Sequence, residues 1–163
     1  TIKYPPHSSN IHWEGELVVA IGTDGANIAP VSAHNHIFGY AVGCDITARD
    51  LQDAAKKKGR PWDMAKGFDE SGPCGAIVQA DANWFSKEHL LELTVNDGVK
   101  QYSSLGNMIW SIPEIISELS RQVKLEAGDI IFTGTPSGVG ELKRNDQVVV
   151  KCNDLPSCSF TME

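Results

Sequence analysis

Apolar residues in this chain occur in short runs that Gly and Pro interrupt, a pattern that favours strands over long helices. Residues 16–22 are mostly apolar, rich in β-branched side chains and closed by Gly, so we predict a buried strand there. Residues 39–45 predict a second buried strand that ends in an acid, Asp45. Residues 129–133 and 147–151 predict further strands.

A β-hairpin is predicted in the middle of the chain. Residues 90–95 alternate between apolar and polar, as expected for a strand with one buried face. The turn-forming run Asn96-Asp97-Gly98 follows, and the chain resumes a strand pattern at Val99.

The first of two predicted helices follows the strand that ends in Asp45. Thr47 is the expected N-cap, with Asp50 three residues later in a short form of the capping box. Lysines in the last turn complement the helix dipole, and Gly59 is the expected stop.

The second predicted helix begins near Ser111 and Pro113. Its apolar residues recur at the spacing of one helical face and are Ile112, Ile115, Ile116 and Leu119.

Together these elements predict an α+β, β-rich fold with a few short helices. The length of 163 residues suits one catalytic domain over residues 1–163, without internal repeats. The chain starts at Thr1 without an initiator Met and enters a strand pattern almost at once, so we expect an N-terminal segment to be absent.

Charge and cysteine content exclude several classes of protein. The net charge is −7, and the one basic stretch is residues 56–60, so we expect no nucleic-acid partner. No apolar run approaches the ~18–20 residues that span a bilayer, so we expect no membrane association. The four cysteines lack zinc-ligand spacing and predict free thiols in the cytoplasm.

The most informative local pattern is the pair Glu14 and Glu16, which would project from the same face of a strand beside His12. Two carboxylates held close together on a partly buried strand repel, and a bound cation relieves both the repulsion and the cost of burial. Oxygen ligands favour a hard ion such as Mg²⁺, Mn²⁺ or Ca²⁺ over zinc. The alternative is an exposed edge strand with solvated glutamates.

Asp45, Arg49 and Gln52 form a second candidate group. Arg49 and Gln52 are three residues apart and share one face of the predicted helix, where the guanidinium could bind a carboxylate. The alternatives are that Asp45 caps the helix and that Arg49 pairs with Asp50 or Asp53 on the surface.

Two further candidates depend on context. Lys66 lies among apolar residues and could either stabilise a developing enolate or extend to solvent. The glycine-rich segment 133–140 lacks the G-K-[ST] ending of a phosphate loop. It could place Thr135 and bare amides near a ligand, or be a simple turn after a strand.

Several motifs in this order resemble the fumarylacetoacetate hydrolase family. They are WEGEL (13–17), GCDITARDLQ (43–52), KGFD (66–69), MIWSIPEII (108–116) and GDIIFTGTPSGVG (128–140). The run KKKGRPW (56–62) looks most like the fumarylpyruvate hydrolase and acylpyruvase branch.

This resemblance implies a mixed β-sandwich roll and a homodimer. It implies a divalent metal, Mg²⁺ or Mn²⁺, with Ca²⁺ an option in crystals. Its implied residue roles concern metal binding, substrate binding and catalysis. They are metal ligation by Glu14, Glu16 and Asp45, substrate binding by Arg49 and Gln52, and catalytic contacts by Lys66 and Thr135.

The implied activity is metal-dependent cleavage of a carbon–carbon bond in a 2,4-diketo acid, with fumarylpyruvate giving fumarate and pyruvate. Family members carry a lid with a His and a Glu that position water, and this sequence has no counterpart upstream of Glu14. Alternatives on the same site are oxaloacetate decarboxylation and a 2-hydroxymuconate-type isomerisation or decarboxylation. The non-enzymatic alternative is a β-rich binding domain stabilised by a cation.

Overall fold

The computed structural model describes residues 1–79 and 84–163. Its strands are β1 (Ile11–Trp13), β2 (Gly15–Ile21), β3 (Ile37–Cys44), β4 (Thr47–Ala48), β5 (Val78–Gln79), β6 (Leu90–Val95), β7 (Gly98–Ser104), β8 (Ile130–Phe132), β9 (Gly140–Leu142), β10 (Gln147–Cys152) and β11 (Cys158–Thr161). The helices are α1 (Arg49–Lys57), α2 (Asp63–Lys66) and α3 (Ile112–Gln122), with 3₁₀ turns at Pro30–His36 and Leu105–Asn107.

The strands form two four-stranded sheets, ordered β5-β3-β2-β8 and β11-β10-β6-β7, and one three-stranded sheet, ordered β4-β1-β9. Neighbouring strands within these sheets run antiparallel, and a parallel bridge joins Ile2 to Met162. Buried side chains from the four-stranded sheets form one continuous core, represented by Leu17 and Val42 in one sheet and Leu93 in the other. The predicted β-rich α+β fold is confirmed.

The predicted hairpin is present as β6 and β7, and Val95 pairs with Gly98. Asn96 and Asp97 have positive φ angles of 50° and 63°, which is the conformation of the two-residue turn that matches strand twist. Asn and Asp tolerate this left-handed region better than most residues, so the turn was readable from the sequence.

Helix α3 begins where the sequence predicted. The Ser111 side chain accepts a hydrogen bond from the Glu114 amide, and the Glu114 carboxylate accepts one from the Ser111 amide (2.8 Å). This reciprocal pair satisfies two amides that the helix cannot pair internally. Ile112 and Ile116 of the predicted stripe are buried in the core.

Helix α1 differs from the prediction at its start. Thr47 lies in β4 rather than at the N-cap, which is Ala48 and carries no side-chain cap. The Thr47 hydroxyl donates to the Asp45 carbonyl instead (3.0 Å). The predicted stop is confirmed, because Gly59 adopts a φ of 59° just after the helix.

The four cysteines are free thiols: Cys44, Cys152 and Cys158 are buried and Cys74 is partly buried. Within the two described ranges, no helix combines the length and apolar content required to cross a bilayer.

Candidate metal centre

Three carboxylates converge at one end of the β2–β3 pair. Glu14 lies between β1 and β2, Glu16 lies in β2, and Asp45 directly follows β3. Each offers an oxygen, and these oxygens all lie within 4.8 Å of one another. The backbone dictates this convergence, because Glu16 pairs with Gly43 and the Asp45 amide donates to the Glu14 carbonyl (2.8 Å).

The two glutamates are buried and Asp45 is partly buried, so the alternative of an exposed edge strand with solvated glutamates is wrong. Glu14 is 8% exposed to solvent and Glu16 is 3% exposed. Burial raises the pKa of Glu16 to about 7, although a hydrogen bond from the Gly134 amide opposes that shift. Burial also raises the pKa of Asp45.

Lys66, at the end of α2, projects into this cluster rather than to solvent. Its ammonium donates to Glu14 Oε2 (2.7 Å), Asp45 Oδ2 (2.5 Å) and Thr47 Oγ1 (2.8 Å). Burial alone would lower the pKa of Lys66, but the hydrogen bonds to Asp45 and Glu14 raise it above its usual value. The side chain is therefore a fixed positive charge at neutral pH. Asp45 makes this contact instead of capping α1, so the capping alternative is wrong.

Arg49, in the first turn of α1, faces the same cluster. One terminal nitrogen donates to Glu14 Oε1 (2.5 Å) and the other to Gln52 Oε1 (2.5 Å). The surface pairing with Asp50 is wrong, because Asp50 bonds to Ser8 and the Ser9 amide. Arg49 Nε is buried and has no hydrogen-bond partner among residues 1–79 and 84–163.

The first residues of the glycine-rich segment 133–140 run antiparallel to residues 14–17, here called the glutamate segment, and extend the pairing of β8 with β2. The Thr133 hydroxyl donates to the Leu17 carbonyl (2.8 Å) and the Gly134 amide to Glu16 Oε2 (2.7 Å). Further along, the Thr135 hydroxyl donates to the Gly15 carbonyl (2.9 Å). The segment therefore positions the Glu16 carboxylate and is more than a turn that ends a strand.

His12 is not among the residues whose ligand atoms converge in the carboxylate cluster. Its Nδ1 is buried without a partner in the described part of the chain. Burial lowers the pKa of His12, and the nearby Arg49 guanidinium adds to that effect.

Two residues that contribute to the centre were missed at the sequence level. Thr47 accepts a hydrogen bond from Lys66, and Gln101 in β7 contacts both Gly15 and Thr135. Thr47 lies two residues after Asp45, the spacing of a shared strand face, and that signal was available. For Gln101 the sequence around it carries no corresponding signal.

The donor set fits a hard divalent cation. The three acidic side chains supply only oxygen ligands, which Mg²⁺, Mn²⁺ and Ca²⁺ prefer. When ionised, the three carboxylates carry one more charge than Lys66 and Arg49 together, and burial makes the charge on Glu16 costly. A divalent ion would remove this excess.

Comparison with known families and proteins gives a consistent result. The family described as fumarylacetoacetate (FAA) hydrolase C-terminal matches residues 1–163. The chain is 41% identical to fumarylpyruvate hydrolase of Ralstonia sp over 162 residues, which cover 99% of this chain and 84% of that protein. It is also 41% identical over 162 residues to the mitochondrial oxaloacetate tautomerase FAHD1 of Homo sapiens, covering 99% and 73% respectively.

Among solved structures, fumarylpyruvate hydrolase from Pseudomonas aeruginosa in complex with Mn²⁺ and pyruvate superimposes with a TM-score of 0.94. The sequences are 39% identical, and the match covers 99% of this chain and 69% of that one. The chain therefore belongs to the fumarylacetoacetate hydrolase family, and it is an enzyme of the class that hydrolyses carbon–carbon bonds.

Proposed function

We propose that this enzyme cleaves acylpyruvates, which are 2,4-diketo acids, and that fumarylpyruvate is the preferred substrate, giving fumarate and pyruvate. The observation that carries the proposal is the convergence of buried Glu14, buried Glu16 and partly buried Asp45, with Lys66 and Arg49 beside them. The similarity to a fumarylpyruvate hydrolase, and to one bound to Mn²⁺ and pyruvate, supports the choice of substrate.

We propose Glu14, Glu16 and Asp45 as ligands for Mg²⁺ or Mn²⁺, with Ca²⁺ an option in crystals. The cation, when bound, would act as a Lewis acid that polarises the oxygens of the diketo acid and favours its enolate.

The cationic side chains have distinct proposed roles. Lys66 is a catalytic group that stabilises negative charge as pyruvate leaves as its enolate, because its ammonium is already fixed and charged. Arg49 binds the substrate carboxylate through the donors that Glu14 and Gln52 do not use. Gln52 is buried and contributes to substrate binding from the same helical face.

Thr135 is the second proposed catalytic contact. Its hydroxyl lies beside the glutamate segment and is bonded to the Gly15 carbonyl.

The test is an assay of the purified protein with fumarylpyruvate and Mn²⁺ or Mg²⁺, following loss of the diketo absorbance. Asp45→Asn keeps the shape of the side chain and removes a ligand charge, so we expect kcat/KM to fall at least about 100-fold. Asp53→Asn, an exposed change on α1, is the matched control and should retain activity. Full activity of Asp45→Asn would contradict the assignment.

Oxaloacetate is the second candidate substrate, supported by the similarity to oxaloacetate tautomerase FAHD1. Its conversion would use the same site to stabilise an enolate without an attacking water. Parallel assays with oxaloacetate and fumarylpyruvate separate the two proposals, because only cleavage of the diketo acid releases fumarate.

We also propose a homodimer in the cytoplasm. The exposed apolar side chains of Ile109 and Trp110 support self-association. Light scattering of the purified protein and cell fractionation are the corresponding measurements.

A further inference from the structure

We infer that Gln101 is a positioning residue of the metal centre, which locks the Thr135 hydroxyl as a hydrogen-bond acceptor and fixes the backbone between Glu14 and Glu16. The inference rests on the proposed metal ligands and does not depend on which diketo acid is the substrate.

Gln101 lies in β7, opposite Leu93 of β6, and is only 1% exposed. Its amide makes three hydrogen bonds. The Gly15 amide donates to Oε1 (2.9 Å), while Nε2 donates to Thr135 Oγ1 (2.8 Å) and to the Pro136 carbonyl (2.8 Å). One buried side chain thus joins the hairpin, the glutamate segment and the glycine-rich segment.

The backbone partners fix the orientation of this amide. The Gly15 amide is a donor and requires the oxygen of Gln101, whereas the Pro136 carbonyl is an acceptor and requires the nitrogen. A flipped amide would place like groups against each other at both contacts. The nitrogen must therefore face Thr135 as well.

The direction of the Thr135 hydroxyl proton follows. Thr135 Oγ1 accepts from Gln101 Nε2, so its own proton is directed to the Gly15 carbonyl (2.9 Å). A hydroxyl has one proton and two lone pairs, and one lone pair is left for a ligand. Thr135 can accept a hydrogen bond from an enol or a water, but it has no proton to donate to a substrate oxygen.

The same contacts hold the metal ligands. Gly15 separates Glu14 from Glu16, and both its amide and its carbonyl are bonded through Gln101 and Thr135. Gly134, next to Thr135, donates its amide to Glu16. Loss of the Gln101 amide would release the backbone between the two glutamates and the segment that holds Glu16. Outer groups of this kind change metal affinity by about 10–100-fold in other proteins.

A buried glutamine can also be purely structural. The test therefore compares a variant that loses buried hydrogen bonds beside the carboxylates with one that loses buried hydrogen bonds elsewhere. Gln101→Met keeps the side-chain length and removes all three hydrogen bonds. Ser120→Ala is the matched control, because Ser120 is buried on α3 and bonds to the Ile28 amide and the Ser117 carbonyl, away from the carboxylates. Both variants should unfold at a lower urea concentration than the parent protein.

The discriminating measurement is the Mn²⁺ dissociation constant, measured by titration with Mn²⁺ alone and detected by electron paramagnetic resonance. We expect it to rise at least about tenfold in Gln101→Met and to stay within twofold of the parent value in Ser120→Ala. Equal Mn²⁺ affinity in Gln101→Met and the parent protein would overturn the inference.

A double-mutant cycle tests the connection through Thr135. Thr135→Val should weaken pyruvate binding to the Mn²⁺-loaded parent protein and should have a smaller effect when Gln101 is already Met, because both changes disrupt one network. Strictly additive effects would contradict the inference.

If Gln101→Met does not fold, Gln101→Glu is the substitute variant, because it keeps the acceptor for the Gly15 amide and loses the amide donors. An unchanged Mn²⁺ affinity in Gln101→Glu would then overturn the inference. If neither Gln101 variant folds, normal binding of Mn²⁺ and pyruvate by Thr135→Val would also overturn it.

These readouts separate the inference from the proposed activity. A parent protein that binds Mn²⁺ but does not cleave fumarylpyruvate would refute the proposed substrate. Weaker Mn²⁺ binding in Gln101→Met would still support the positioning role in that case. If the parent protein cleaves fumarylpyruvate and Gln101→Met binds Mn²⁺ with unchanged affinity, the substrate proposal stands and the positioning role of Gln101 is refuted.

Discussion

At the scale of single residues, Glu16 shows a conflict between folding, which buries its carboxylate, and the proposed metal binding, which requires the carboxylate to be charged. It is buried beside Glu14 and Asp45, and the described hydrogen bond to its carboxylate is donated by the Gly134 amide. Burial raises its pKa to about 7, so at neutral pH the metal-free protein holds this group about half protonated. Ionising Glu16 therefore lowers the stability of the metal-free fold, and a bound cation would offset that cost.

This conflict predicts the pH dependence of stability without metal. Between about pH 4.5 and 7 the folded state keeps a proton on Glu16 that the unfolded state releases, so the free energy of unfolding falls as pH rises through this window. The size of the effect is on the order of 3 kcal/mol. Glu16→Gln should remove it, making the metal-free variant more stable than the parent at pH 8.

Urea denaturation of both proteins in chelator at pH 5 and pH 8 measures this difference. The exposed Glu88→Gln is the control for loss of a charge. The same Glu16→Gln variant should lose Mn²⁺ affinity by roughly two orders of magnitude, because ligand charge sets the affinity of such sites. A Glu16→Gln protein that is less stable than the parent at pH 8 would contradict the assigned pKa shift.

The site residues differ in how far the sequence revealed them. The spacing of Glu14 and Glu16 and of Arg49 and Gln52 is local, so it could be read from strand and helix periodicity. Gln101 could not, because its partners lie 86 and 34 residues away and are brought together only by the packing of β7 against the two segments.

At the scale of elements, the glycine-rich segment depends on two unusual backbone conformations. Gly134 and Gly138 have φ angles of 101° and 102°. The Gly138 carbonyl also accepts a hydrogen bond from Trp13 Nε1 (2.8 Å), which closes the segment against β1. A β-carbon on Gly138 would lie 2.2 Å from the Lys100 carbonyl oxygen, so both conformation and space require glycine there.

Gly128 offers a matched comparison, because it has a similar φ of 103°, but a β-carbon added there would meet no atom of the described residues within 4 Å. We expect Gly128→Ala to cost roughly 1–2 kcal/mol from backbone strain alone. Gly138→Ala should cost a further 1–3 kcal/mol or so from the clash. Urea denaturation measures the difference.

Gly138→Ala should also weaken Mn²⁺ binding, because the displaced segment includes the amide that holds Glu16, whereas Gly128→Ala should leave affinity unchanged. Equal stability losses in the two variants would show that the Lys100 carbonyl moves aside without cost.

Elements were predictable where a short stretch of sequence contains the whole interaction. The β6–β7 turn and the Ser111–Glu114 capping box are of this kind, and both were predicted. The start of α1 was not, because Thr47 and Asp45 are drawn into contacts with Lys66, which the chain reaches only about twenty residues later. Tertiary contacts there override the local capping preference.

At the scale of the whole molecule, a cavity of about 810 Å³ opens between α3, β8 and the glycine-rich segment. Met108, Ile109 and Trp110 form part of its wall, and Ile109 is 94% exposed. Exposed apolar side chains beside a large concave surface are typical of a surface used for association.

This surface is the candidate contact of the proposed homodimer. We expect Ile109→Asp to convert a dimeric protein to a monomer, because a buried unpaired charge opposes association. Val31→Asp is the control, since Val31 is also highly exposed but does not line the cavity. Light scattering coupled to size-exclusion chromatography measures the mass. A monomeric parent protein would refute the dimer, and a dimeric Ile109→Asp variant would place the contact elsewhere.

The position of Lys66 has a consequence for how the enzyme acquires its ion. Because the Lys66 ammonium bridges Glu14 and Asp45, it keeps these two acidic groups together in the metal-free protein. A cation bound by Glu14 and Asp45 would compete with this ammonium for the same oxygens. Binding of the ion would therefore exchange these contacts for metal bonds, while the Thr47 hydroxyl still holds the ammonium beside the site.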